Sequence, residues 1–338
     1  MSIANLMNSV MSEDQFLPGA DVSVSVARLT NKERNETLAF LAERATHTVI
    51  LAGFIRDNGL VSPLNRGTMY SCRNSEGRLE GVALVGHTTL VEARTERALR
   101  QFAIETKAYS DSRASPATHL IIGEEEKIEK FWSYYAQRKH GMRLACRELL
   151  MEIRKAVGDT RPIPGLRLAT PDDLDMVAPV HAEMAFEESG VNPLLVDPDG
   201  FRARCGRRIE KGRVWVLLHG KKLIFKADIQ ADTPEVIYLE GVYVAPEYRG
   251  NGIGRKCITQ LTHDLLKRTE SVCVLVNESN RKAQEFYKSA NFKMMSYYST
   301  IFMQTENDSV NAPAQLNFLN PSSLLESTTP TQLGYESS

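Results

Sequence analysis

The chain has 338 residues, 41 Lys and Arg against 42 Asp and Glu, and a formal net charge of −1, so nothing electrostatic points to a nucleic acid or an anionic membrane as its partner. No apolar run approaches the roughly 18 residues of a membrane span, and Glu13 and Asp14 stand where a targeting segment would carry basic residues; a cytoplasmic protein of two domains plus tails is expected. The five cysteines, Cys72, Cys146, Cys205, Cys257 and Cys273, are scattered and free of C-x-x-C pairing, which predicts reduced thiols and no metal site.

In chain order, residues 1–20 have no period and are expected to be a disordered leader. The spacing of Leu38, Phe40, Leu41, Ala45, Val49, Ile50, Ala52 and Ile55 predicts a helix or two over 31–58, stopped by Asn58-Gly59. Strands are predicted at 68–72 and 79–85, joined by Asn74-Ser75-Glu76-Gly77 as a hairpin. A strand at 88–92, a helix at 95–106, a polar loop at 110–116, a strand at 119–122, a helix at 124–137 and a strand at 142–149 complete an N-terminal α/β domain, 21–157. Proline and glycine density marks 158–165 as a linker.

A second domain, 166–303, repeats that order. Thr170-Pro171-Asp172-Asp173 is a helix start, with a hydroxyl cap, a proline in the first turn and early acids. Helices follow to about 190 and over 198–211, then a hairpin of 214–218 and 223–230, and a strand over 236–244. A tandem of two similar units is the expectation, the first of them degenerate. From 304 onward the chain has no Lys or Arg and is rich in Ser, Thr, Asn and Pro, which predicts a disordered tail, 304–338.

The most informative stretch is Val242-Tyr243-Val244-Ala245-Pro246-Glu247-Tyr248-Arg249-Gly250-Asn251-Gly252-Ile253-Gly254, a strand running into a glycine-rich turn and a helix. Backbone N–H groups there can close on an anion, and the helix adds its positive end. A Walker A loop would need Gly-Lys-Ser/Thr, whereas Gly254-Arg255-Lys256-Cys257 follows. A dinucleotide fingerprint would need G-x-G-x-x-G and an acid after the next strand, which ends instead at Asn277.

R-x-x-G-x-G, carried by Arg249, Gly252 and Gly254, resembles the GNAT superfamily of acyl-CoA-dependent N-acyltransferases. The resemblance continues downstream, where Asn280, Ala283, Tyr287 and Phe292 stand in the family's register, with Asn291 in place of the usual Gly. It covers about 165–303 and implies a mixed α/β fold, a mostly antiparallel central sheet flanked by helices. It also implies acetyl-CoA as cosubstrate and a primary amine, in a small molecule or a protein, as acceptor. In that reading Val242, Tyr243 and Val244 pair with the pantetheine, the N–H near Val242 polarises the thioester carbonyl, and Arg249, Gly250, Asn251, Gly252, Ile253, Gly254 and Arg255 hold the pyrophosphate. Asn280 contacts the pantetheine and Tyr287 protonates the departing sulfur, unless its ring only fills the core.

Glu240 stands where some relatives keep their base. Strict alternation puts it on the same face as Val242 and Val244, a placement that a bulge would undo. A salt bridge to a neighbouring strand is the competing role for Glu240, and an ordered water could relay the proton. Relatives with a base on the following strand have it where this chain has Leu275. His181, Glu183, Glu187 and Glu188 could attract a cationic amine or simply face solvent. His219 and His263 have no assigned role. After Val91-Glu92-Ala93 the first unit has Arg94-Thr95-Glu96 and no glycines, so it should not hold CoA in the same way. The alternative to an acetyltransferase is a non-catalytic acyl-CoA-binding regulatory protein, which would need neither Tyr287 nor Glu240. A tandem could stand in for a dimer within one chain, which favours a monomer.

Overall fold

The computed structural model describes residues 24–112, 118–136, 141–157 and 162–304. The leader at 1–20, most of the tail at 304–338, the first half of the 158–165 linker and most of the polar loop at 110–116 lie outside these residues.

Two repeats of one element order build the described chain. The first runs β1 (Ser25–Arg28), α1 (Arg34–Ala42), α2 (Ala45–Asn58), β2 (Gly67–Arg73), β3 (Leu79–Gly86), β4 (Thr88–Ala93), α3 (Glu96–Asp111), β5 (Leu120–Glu124), α4 (Glu125–Tyr135) and β6 (Met142–Ile153). The second runs β7 (Arg167–Leu168), α5 (Leu174–Ser189), α6 (Pro193–Val196), α7 (Pro198–Glu210), β8 (Val214–His219), β9 (Lys222–Asp232), β10 (Val236–Val244), α8 (Ile253–Leu265), β11 (Ser271–Asn277), α9 (Arg281–Ser289) and β12 (Lys293–Met303). Even the entry into the first helix is duplicated. Thr30 with Glu33, and Thr170 with Asp173, form capping boxes around a short 3-10 turn, satisfying N–H groups that a helix start leaves orphaned.

The repeats exchange strands. Among the described residues one sheet runs β1-β2-β3-β4-β5-β12-β6-β11-β10-β9-β8-β7. Thus β12, from the end of the second repeat, lies between β5 and β6 of the first, and β6 lies between β12 and β11. The units expected at 21–157 and 166–303 are therefore each completed by the other's last strand. Only β4–β5 and β10–β11 are parallel pairs; every other adjacent pair is antiparallel.

Apolar side chains of α8 and α9 pack one face of the second repeat, with Cys257, Ile258, Leu261 and Leu265 against Ile237, Leu239, Val272 and Val274. The opposite face is covered partly by the first repeat. Val49 of α2 joins Ala231, Val236, Tyr238 and Cys273, and a Cβ on Gly53 would come within 2.6 Å of the Ala231 Cβ, so glycine sets how closely α2 approaches β9. The Arg213 guanidinium grips Asp57 across the repeats with both contacts at 2.6 Å.

Candidate active site

The parallel partners β10 and β11 stay together only from Val236 to Leu239 opposite Ser271 to Val274, and then part. Beyond that point β11 pairs with β6 as far as Asn277, while β10 continues to Val244 paired only with β9. One backbone edge of residues 240–244 is left facing a cleft, with a row of groups that could pair with an extended ligand.

At the top of the cleft the chain leaves β10 through a 3-10 turn at Pro246–Tyr248 and enters α8 with Gly252 as N-cap. Gly250 and Gly252 have φ of +79° and +83°, and a Cβ on either would meet nothing within 4 Å, so glycine serves here for its backbone conformation. Gly254 differs, because its Cβ would lie 2.7 Å from Val244 Cγ2 and 3.2 Å from Phe286 Cε2; its role is close approach of α8 to the cleft wall. Asn251 Oδ1 accepts the Ile253 N–H at 3.1 Å. The N–H groups of Gly254 and Arg255 belong to the orphaned donors of a helix start, and the first turn of α8 contains no acid. Arg249 Nε donates to the Val244 carbonyl at 2.9 Å, which ties the loop back to the strand end.

Across the cleft Asn280 caps α9, its Oδ1 accepting the Ala283 N–H at 3.0 Å. The Tyr287 ring is packed edge-on against Phe286 and Phe292, and burial raises its phenol well above the usual range. Its hydroxyl has no hydrogen-bond partner among the described residues. Asn291 adopts φ of +70°, as a residue in the glycine position after a helix must.

Glu240 departs from strict alternation. The β9–β10 register shifts between Glu240 and Tyr243, with Gly241 at φ +60°. This bulge turns Val242 and Val244 toward the α8 side, where they join its core, and leaves Glu240 on the opposite face with Tyr238. There Glu240 is half-buried and acts electrostatically on two other carboxyls. Glu148, on the exchanged strand β6, is 8% exposed and hydrogen-bonded by Thr300; burial raises its carboxyl, and Glu240 raises it further. Glu188, near the end of α5, is raised to about 7 by burial and then by Glu240 and Glu148.

His181 and Glu188 have different partners: His181 Nδ1 lies 3.0 Å from Asp228 Oδ2, while Glu188 interacts with Glu240 and Glu148. His219 ends β8, 3.2 Å from the Tyr248 hydroxyl. Sequence reasoning missed Glu148, Lys226 and Asp228. The signal for the last two was available, since Lys226 and Asp228 interrupt the apolar run of β9 two residues apart and so share one face.

The first repeat closes the equivalent cleft. β4 and β5 pair over Thr88 to Leu90 and Leu120 to Ile122 and then part. Into the gap points Glu92, 2% exposed, held by Arg44 at 3.1 Å, Arg94 at 2.7 Å and Lys127 at 2.8 Å, with Glu124 bridging Arg44 and Lys127. The remaining cavity, beside His47 and Tyr298, leaves about 30 Å³ open to the centres of water molecules, room for a few waters. Only Arg94 and Thr95 separate β4 from α3, and Glu96 puts a negative charge in that helix's first turn. Seven residues after each cap, Tyr287 has Phe131 as its counterpart.

A parallel strand pair that parts beside a glycine-rich helix N-terminus, in a largely antiparallel sheet built twice, makes this a tandem GNAT fold. Residues 184–292 match the model of the acetyltransferase (GNAT) family, and the C-terminal repeat is a GNAT domain. A thialysine N-epsilon-acetyltransferase of Bos taurus is 43% identical over 54 residues, 16% of this chain and 32% of the relative. The chain thus spans about a third of the length of the curated relatives it matches. Among solved structures, a GNAT-family acetyltransferase from Colwellia psychrerythraea is similar at TM-score 0.51 and 15% identity, over 84% of this chain and all of the other. A tandem GNAT protein from the clavulanic acid biosynthesis pathway is similar at TM-score 0.51 and 12% identity, over 82% of this chain and 98% of the other. At such identities these two likenesses speak for the fold alone. Among the described residues no helix is long and apolar enough to cross a membrane, and no group of three or more His, Cys, Asp or Glu could hold a metal ion.

Proposed function

We propose that the C-terminal repeat transfers an acetyl group from acetyl-CoA to a primary amine by direct attack within a ternary complex. The observation that carries this reading is the parting of β10 and β11 after Leu239, with the glycine loop at one end of the opening and three carboxylates on the face beyond it. Pantetheine adds to the free edge of Val242, Tyr243 and Val244. The pyrophosphate lies on residues 250–255 at the α8 N-terminus, where orphaned N–H groups and the helix dipole favour an anion. Asn280 contacts the cofactor through its amide nitrogen, since its oxygen is taken up by the capping bond to the Ala283 N–H.

Attack needs a neutral amine, a stabilised oxyanion and a proton for the thiolate. Glu240 accepts the amine proton, directly or through a water, with Glu188 and Glu148 beside it. These carboxyls also draw a cationic amine to the face opposite the cofactor, so the two substrates enter from different sides of the sheet. The Val242 N–H faces the thioester oxygen as it becomes an oxyanion, and the Tyr287 hydroxyl, without a competing partner in the core, protonates the sulfur. An amine on a flexible alkyl arm, as in the thialysine named for the bovine relative, suits an acceptor site of this charge. A purely cofactor-sensing protein would need neither Tyr287 nor the carboxylates.

Calorimetric titration with acetyl-CoA, wild type beside Gly252→Glu, tests the reading. Binding to the wild type, abolished when the left-handed φ is strained and a carboxylate faces the phosphates, is the expected result. Wild-type protein that neither binds acetyl-CoA nor consumes it with any amine would sink the proposal.

A further inference from the structure

Lys226 is completely buried on β9. Its Nζ donates to Asp228 Oδ2 at 2.6 Å and to the Gly241 carbonyl at 3.1 Å. Asp228 is 1% exposed and is further held by His181 Nδ1 at 3.0 Å and Arg208 Nη1 at 3.6 Å. Burial alone would raise the Asp228 carboxyl, but Lys226, His181 and Arg208 hold it well below the usual carboxylate range. Removing two such charges from water costs several kcal/mol per ion, and a pair of apolar residues would stabilise the fold about as well. Its position beside the cleft suggests a different role.

That position is the bulge. Gly241 sits at φ +60°, and a Cβ there would stand 2.9 Å from Lys226 Nζ and 3.1 Å from Asp228 Oδ2, so only glycine lets this peptide close on the ammonium. The described chain contains no cis peptide bond, and in a trans unit the carbonyl and the N–H point in opposite directions. With the Gly241 oxygen turned to Lys226, the Val242 N–H of the same unit is turned away from Lys226, and Val242 lies past Leu239, where β11 has parted from β10.

We propose that Lys226 is a positioning residue for the oxyanion donor: through the Gly241 carbonyl it fixes the plane of the Gly241–Val242 peptide and polarises it, strengthening the Val242 N–H toward the thioester oxygen. Hydrogen bonds that share one amide reinforce one another, by an estimated ~10–30% per bond, and an ammonium is a stronger polariser than a neutral donor. Asp228 keeps the ammonium aimed, and His181 and Arg208 anchor Asp228. The inference rests on the acetyl-transfer reading and adds a residue that touches neither substrate.

The test uses the full chain, acetyl-CoA, and a ketone analogue in which methylene replaces the thioester sulfur and the carbonyl carbon is 13C. Lys226→Met removes the ammonium at similar volume. Lys226→Met with Asp228→Leu also removes the carboxylate left behind, in case the single variant fails to fold. The bound analogue's carbonyl stretch should lie at lower frequency in wild type than in either variant, with acetyl-CoA affinity unchanged. With thialysine or lysine as acceptor, kcat should fall roughly tenfold or more, within the ~10²–10³ that one oxyanion donor supplies. A carbonyl stretch unmoved in a folded variant overturns the role of Lys226 whether or not either amine reacts. Wild-type protein that binds neither acetyl-CoA nor the analogue overturns the acetyl-transfer reading itself, and this inference with it.

Discussion

Glu148, carried by the first repeat, lies opposite Asn277 of the second in the antiparallel pair of β6 and β11. Its carboxyl thereby reaches the face on which Glu240 and Glu188 stand; burial and then Glu240 raise Glu148, and burial, Glu240 and Glu148 raise Glu188. The first repeat, its own cleft filled by the ion pairs around Glu92, thus supplies one carboxyl of the face on which Glu240 and Glu188 of the second stand.

The strand exchange predicts that neither repeat folds alone. Residues 24–157 expressed without 162–304 would expose β5 and β6 along edges that β12 and β11 now cover, and the converse fragment would expose β11. Each fragment should aggregate alone, and co-expression should give a one-to-one complex of the intact chain's size by size-exclusion chromatography. A soluble, cooperatively unfolding single fragment would contradict this.

Glu188 makes stability depend on pH with a definite sign. Its folded pKa of about 7 lies above the ordinary 4.5, so between these values the native state binds more protons than the unfolded state. Stability from this group is fully present below 4.5 and is lost as pH rises toward 7. Glu188→Gln should flatten the fall in Tm over that window. A parallel, undiminished fall in the variant would show that other groups govern it.

The same carboxyl cluster sets the rate profile. Glu240→Gln should lower kcat at neutral pH and recover in part at high pH, where the amine deprotonates unaided. If Glu188 shares the proton with Glu240, the wild-type rate limb near 7 should move in Glu188→Gln. A pH-rate profile identical to wild type in both variants would remove these residues from proton transfer.

Tyr287→Phe deletes a hydroxyl that no described residue uses, so stability should be kept or slightly raised. General acids contribute on the order of 10²-fold or more, so kcat should fall by about that factor while acetyl-CoA affinity holds. A drop in affinity equal to the drop in kcat would assign Tyr287 to the wall of the site.

Gly254→Ala tests packing in place of backbone freedom. Its Cβ, 2.7 Å from Val244 Cγ2, must push α8 from the cleft wall, at a cost of about 1–3 kcal/mol, and acetyl-CoA should bind more weakly. Chemical denaturation and calorimetry on the same preparation measure both effects.

Much of this arrangement was legible in the sequence because it rests on local rules. Glycines at left-handed φ, an Asn cap at 280, the capping box at Thr170, the apolar period of the helices and the duplicated element order each depend on neighbours a few residues apart. What depended on contacts across the chain was not legible. Alternation placed Glu240 beside Val242 and Val244, and the bulge at Gly241 moved it, because closing the carbonyl on buried Lys226 inserts a residue into the strand. Strand exchange was equally hidden, since backbone pairing by β6 and β12 does not depend on which repeat a strand joins, and nothing local in either strand marks the choice. The sequence alone thus determined the glycine loop and the repeat, through steric and capping preferences that act locally. The tertiary structure decided which carboxyls share one face and which cleft stays open, because burial and charge pairing act between residues tens of positions apart on different elements.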